Sequence, residues 1–115
     1  VMEGAGGLLV PINYQNCIID LVKKTDKVIL VSRHYLGSIN HTLLSHQLLK
    51  QRNIDYEILF IGEENPTTES IIQEMTGKTP IGRIPVLDEV NPDAIASTAD
   101  MLRSKIIDKL QITTR

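Results

Sequence analysis

The chain has 115 residues, 42% of them apolar, enough for one core that removes roughly two thirds of the unfolded surface from water and too short for two enzyme domains. Lys and Arg number 12 against 14 Asp and Glu, a net charge of -2 with no like-charge run longer than Lys23-Lys24, which excludes the clustered basic face that nucleic-acid binding needs. One cysteine, Cys17, excludes an internal disulfide or a cysteine-built zinc site and fits a reducing cytoplasm, and no apolar run approaches the roughly 18 residues of a membrane span.

The sequence opens on Val1-Met2, the tail of an apolar run, and passes at once into Glu3-Gly4-Ala5-Gly6-Gly7, which predicts a chain that begins inside a strand. After Leu8-Leu9-Val10-Pro11, a helical pattern puts Cys17, Ile18, Leu21 and Val22 on one face and Asp20, Lys23 and Lys24 on the other. Val28-Ile29-Leu30-Val31 is continuous rather than alternating, the pattern of a parallel strand buried on both faces. Gly37-Ser38 introduces a helix over 39–52 with Ser38 as N-cap and Leu43, Leu44, Leu48 and Leu49 at core spacing.

Residues 56–61 read as a second strand. Asn65-Pro66, a cap followed by proline at the first helical position, starts a helix to about Met75 that Gly77 closes. Residues 83–87 are short and broken by Pro85, an edge strand at best. Asn91-Pro92 repeats the start signal for a last helix whose Ile95, Ala99, Leu102, Ile106 and Leu110 face a sheet while Arg103, Lys105 and Lys109 stay wet. Strand and helix alternate throughout, predicting a single α/β domain over 1–115 with a mostly parallel sheet flanked by helices. Ligands of such sheets bind beyond the carboxyl ends of the strands, so the loops after Met2, Val31, Ile61 and Leu87 are expected along one edge.

In that setting Glu3 is a possible ligand for a hard cation such as Mg2+, and Gly4, Ala5 and Gly6 let backbone N–H groups approach phosphate oxygens. A tight glycine-rich turn with an exposed carboxylate accounts for the same residues without any ligand. Gly37, Ser38, Ile39 and Asn40 open a helix whose free N–H groups attract an anion, although ordinary capping explains them equally. Thr76-Gly77-Lys78-Thr79 imitates a phosphate loop, but position 72 is Ile and Pro80 follows, so it reads as a helix C-terminal turn. His41 and His46 lie five apart, not on one helical face, and all three histidines, His34 included, read as surface or capping groups.

The run from Val1 to Pro11 with its Glu3-Gly4-Ala5-Gly6-Gly7, followed by Leu36-Gly37-Ser38-Ile39-Asn40-His41-Thr42-Leu43-Leu44, resembles the dethiobiotin synthetase family; Gly62-Glu63-Glu64-Asn65-Pro66 and Gly82-Arg83-Ile84-Pro85 fall in the family's order and spacing. The resemblance spans nearly the whole chain and corresponds to the C-terminal half of a family member. It implies a P-loop NTPase-like, homodimeric α/β fold, here without its N-terminal half, using ATP and Mg2+ to close a ureido ring from 7,8-diaminopelargonate and CO2 through a phosphorylated carbamate. By resemblance, Glu3 is the Mg2+ ligand and Glu3, Gly4, Ala5 and Gly6 line the phosphate region. Gly37, Ser38, Ile39 and Asn40 receive the substrate's distant carboxylate across the dimer interface. Ile61, Gly62, Pro85, Val86, Leu87 and Asp93 form the base-binding wall.

Ile61 departs from the family, which usually has there an Asn whose amide reads the adenine edge; an isoleucine neither donates nor accepts. The family's phosphate loop and its catalytic lysine and Asp residues belong to the other half, so this chain assigns no catalytic residue of its own and is expected to be inactive alone. Two rival readings stand beside it: another ATP-dependent amide- or urea-forming ligase, and a degenerate domain of the P-loop superfamily with a binding or assembly role.

Overall fold

In the computed structural model, which describes residues 1–113, strands and helices alternate as β1 (Val28–Arg33), α1 (Ser38–Gln51), β2 (Tyr56–Ile61), α2 (Pro66–Thr76), β3 (Arg83–Ile84) and α3 (Pro92–Leu110). The last two positions of the expected 1–115 domain lie outside the described residues. The strands are parallel throughout and lie in the order β1-β2-β3, the α/β class that the alternation predicts. β2 is the middle strand because it is apolar on both sides. Its Tyr56, Ile58 and Phe60 meet Leu49 of α1 and Ile72 of α2, while Leu59 meets Ile81 and Leu102 of α3. Successive residues of a strand point to opposite faces, so an unbroken apolar run is what a strand covered by helices on both sides requires.

The helix starts follow from local chemistry. Asn65 Oδ1 accepts the Thr68 N–H at 3.1 Å and Asn91 Oδ1 the Ala94 N–H at 2.9 Å, each ahead of a proline in the first turn. Gly77, at φ 68°, adopts the left-handed conformation that ends α2, so Thr76-Gly77-Lys78-Thr79 is the helix-terminal turn expected. α3 approaches β3 closely at Gly82, where a Cβ would come within 2.8 Å of Leu102 Cδ2.

Several expectations are corrected. Val1 and Met2 form no strand and are exposed, and the second edge of β1 is left without a partner among the described residues. The helix expected around Cys17 is a single 3-10 turn, Ile18–Leu21, and Ile19 is its buried residue. Tertiary bonds decide the matter: Ile18 N–H goes to Val10 O and Ile19 N–H to Leu8 O, both at 3.0 Å, holding the backbone against the preceding loop. In α1 the buried positions are Ser38, Thr42, His46 and Leu49, and Leu44 is exposed. Thr42 is satisfied by Ser32 at 2.9 Å and His46 by Tyr56 at 2.5 Å, so polar residues share the inward face with the expected Leu49 and the partly buried Leu48.

Gly37, at φ 96°, rather than Ser38, is the N-cap of α1. The strand expected over 83–87 stops at Ile84, where Pro85 has no N–H to continue the ladder. In α3, Leu102 and Leu110 are buried and Ile106 packs against the core, but Ile95 and Ala99 are exposed. Thr98 takes the inward position instead, its hydroxyl donating to Ala94 O at 2.8 Å. Among the described residues no helix is long and apolar enough to cross a membrane.

Candidate functional site

Arg33 of β1 pairs with Ile61 of β2, and Ile61 with Ile84 of β3, so the three strands end level. That register brings together the segments leaving them: 34–37 into α1, Gly62 and Glu63 into α2, and Pro85, Val86 and Leu87 toward α3. Gly62 turns at φ 97° and its N–H donates to Ile84 O at 2.9 Å, which fixes the β2 exit against β3. Ile61, Gly62 and Pro85 are partly buried there, and Val86 is exposed. Asp93 lies in the first turn of α3, exposed, where a carboxylate complements the helix dipole.

At the start of α1 the first helical acceptor is Gly37 O, which takes the His41 N–H at 3.0 Å. Ser38 N–H turns back to Tyr35 O at 3.0 Å, leaving the N–H groups of Ile39 and Asn40 without a helical acceptor, as at any helix start. Ser38 is buried and Asn40 exposed. Beside them Tyr35 Oη and His41 Nδ1 are 2.9 Å apart on the surface.

Glu3, Gly4, Ala5 and Gly6 are all exposed, and none of them hydrogen-bonds to the strand ends among the described residues. Gly4 backs onto Ile18, where a Cβ would meet Cγ2 at 2.8 Å, and Gly6 has φ 88°. No group of three or more His, Cys, Asp or Glu able to hold a metal occurs among the described residues. Glu3 therefore offers one carboxylate on an open loop. That fits Mg2+, which takes one or two carboxylates and completes its shell with water and substrate phosphates, rather than a cation needing a cage of protein ligands.

Sequence reasoning missed the polar cluster under the strand ends. Glu69 of α2 accepts from His34 Nε2 at 2.7 Å, from the Arg83 guanidinium, and from the Asn65 N–H at 3.3 Å, all on Oε1. Arg83 Nη1 also donates to Gly62 O at 2.9 Å and Glu63 O at 3.3 Å. His34 and Arg83 flank the Phe60 ring, at 5.3 and 5.8 Å from its centroid. Burial alone would raise the Glu69 carboxyl, but the bonds from Arg83, His34 and Asn65, with the Arg83 charge, outweigh it and hold it below the usual carboxylate range. His34 Nδ1 is buried without a partner.

The expectation of surface or capping histidines thus fails for two of three. His34 sits in this cluster, and His46 lies under α1 against Tyr56. Their partners come from 35 and 10 residues away, beyond the reach of local spacing. An open groove of about 620 Å3 runs along α2 between Glu64, Glu69, Glu74 and Lys78; its acidic lining is unsuited to a triphosphate.

A family model described as "AAA domain" matches residues 1–94. Curated relatives named "ATP-dependent dethiobiotin synthetase BioD" include one from Christiangramia forsetii, 56% identical over 94 residues covering 78% of this chain and 45% of the relative. Another from Brucella anthropi is 47% identical over 97 residues, covering 83% and 46%, and one from Cytophaga hutchinsonii is 43% identical over 101 residues, covering 86% and 49%. The chain spans about half the length of these relatives. Parallel strands, alternating helices and a match running through all three strands agree: the chain belongs to the AAA-domain family, a P-loop NTPase-like α/β fold, and is homologous there to the dethiobiotin synthetases.

Proposed function

We propose that this chain is the C-terminal part of an ATP-dependent dethiobiotin synthetase of the cytoplasm, one α/β domain over 1–115 that supplies the base-side wall and the substrate's carboxylate site. It closes the ureido ring of dethiobiotin from 7,8-diaminopelargonate and CO2 only when joined to the half carrying the phosphate loop, and it works as a homodimer. The observation that supports the reading is the level register of Arg33, Ile61 and Ile84, which ends the three strands together just ahead of segments 37–40 and 85–87, in a chain 56% identical over 94 residues to a named synthetase.

In this reading the partly buried Ile61, Gly62, Pro85 and Leu87, with Val86 and Asp93, take the nucleobase. Gly37, Ser38, Ile39 and Asn40 orient the substrate through its far carboxylate, so that its amines stay at the reacting end. Glu3 is the ligand to Mg2+, and Gly4, Ala5 and Gly6 offer backbone N–H groups to phosphate oxygens. Bound Mg2+ supplies neutralisation of the charge carried by the transferring phosphoryl group.

The test is Glu3→Gln in the protein completed with its N-terminal half. Mg2+-dependent dethiobiotin formation should fall to background while circular dichroism and melting stay those of the parent; undiminished turnover removes Glu3 from the site. A second reading, a degenerate domain with an assembly role, is favoured by one residue, Ile61, whose side chain has no group for the adenine edge. A completed protein that dimerises but forms no dethiobiotin would select it.

A further inference from the structure

We infer that Glu69 is the hub of a positioning relay, His34–Glu69–Arg83, that sets the β2 exit loop and thereby the nucleobase side of the site; the inference rests on the synthetase reading for its ligand, not for its geometry. Donors from three parts of the chain converge on one carboxylate oxygen. His34 brings the residue directly after β1, Asn65 the start of α2, and Arg83 the first residue of β3. Arg83 ties in the β2 exit a second time, because its Nη1 donates to the carbonyls of Gly62 and Glu63, in the same loop as Asn65. A guanidinium is suited to this, since its fixed fork holds a carboxylate on one side and carbonyls on the other, which a lysine ammonium does not reproduce.

The relay is nearly dry, with side-chain exposure of 11% for His34 and 14% for Glu69. Bonds shielded from water hold their geometry better than surface pairs. What they hold is specific: Gly62 in its left-handed turn, with its N–H on Ile84 O, next to the Ile61 side chain. His34 cannot swing out to water without leaving Phe60, and its orphaned Nδ1 is a cost the surrounding packing sustains. None of these three side chains belongs to the residues proposed to touch nucleotide or substrate. They act through the loop, so they are positioning residues.

Two measurements decide it. In the 115-residue chain, Glu69→Gln should speed amide exchange at Gly62 by about tenfold while exchange at Ile81, whose N–H goes to Ile58 O, stays within about twofold. Unchanged exchange at Gly62, or equal acceleration at both, overturns the relay, the second because it would report general loss of stability. In the completed protein the same substitution should raise KM for ATP about tenfold and leave kcat within about threefold, and Arg83→Lys should do likewise. Equal loss in kcat with KM unchanged would overturn it. If the completed protein forms no dethiobiotin, the synthetase reading fails, and the exchange result on the chain still decides the relay.

Discussion

His46 shows how a side chain can be misread from its neighbours in sequence. It sits among polar residues on a helix, yet the fold turns it inward onto Tyr56. Burial, then the charges of Lys50 and Lys78, push its pKa below the usual histidine value, and burial together with Glu57 and Asp55 pushes the Tyr56 hydroxyl up to about 12. The hydroxyl keeps its proton and can donate it to Nδ1 of a neutral ring. Because the folded pKa is the lower one, stability is complete above the unfolded value of 6.5 and is lost as pH falls below it, where the unfolded chain takes up the proton first. Urea denaturation should show that loss setting in as pH falls through the unfolded value, and His46→Gln should flatten it. An equal slope in both proteins would contradict this account. Ile61 makes the other prediction of this kind: Ile61→Asn in the completed protein should tighten ATP roughly three- to tenfold, about one net hydrogen bond. An unchanged Kd by titration calorimetry would mean that the base is held by other groups.

Among the elements, those with local start and stop signals were legible in the sequence and those held by distant contacts were not. Asn65-Pro66 and Asn91-Pro92 place their helices to the residue, because the cap bond spans three positions. Asn91→Ala should accordingly cost about 1 kcal/mol, read as a lower urea midpoint at constant slope. A loss under about 0.3 kcal/mol would show that α3 is held by Leu102 and Leu110 alone. The 3-10 turn at Ile18–Leu21 has a local start, the Asp20 carboxylate accepting the Cys17 N–H at 2.8 Å, but no stop signal in its sequence. Its helical spacing is present, but the chain turns extended at Val22, φ -72° and ψ 123°, and the turn goes no further. α1 misled for another reason: hydrophobic spacing selects the leucines, whereas Ser32 and Tyr56, on neighbouring strands, pair with Thr42 and His46 and draw the polar face inward. The relay was illegible for the same cause, its bonded partners being up to 35 residues apart.

For the molecule, strand alternation was enough to give the class and the sheet direction. It could not show that Val1 and Met2, ahead of Glu3 and its glycines, would form no strand. β1 thereby keeps an unpaired edge, and Val31 on it is 51% exposed. Open parallel edges invite pairing with other chains. The 115-residue chain should sediment as a concentration-dependent mixture, and Val31→Lys should shift it toward monomer. A monodisperse, cooperatively melting parent would contradict the prediction.

The convergence of three donors on a single Glu69 oxygen has a further consequence for anyone altering the molecule. Positions 34, 69 and 83 are not independent variables. Once the shared acceptor is gone, changing either donor takes away little more, so double substitutions should cost clearly less than the sum of the single ones. Engineering at this corner therefore has to treat the trio as one letter of the sequence rather than three.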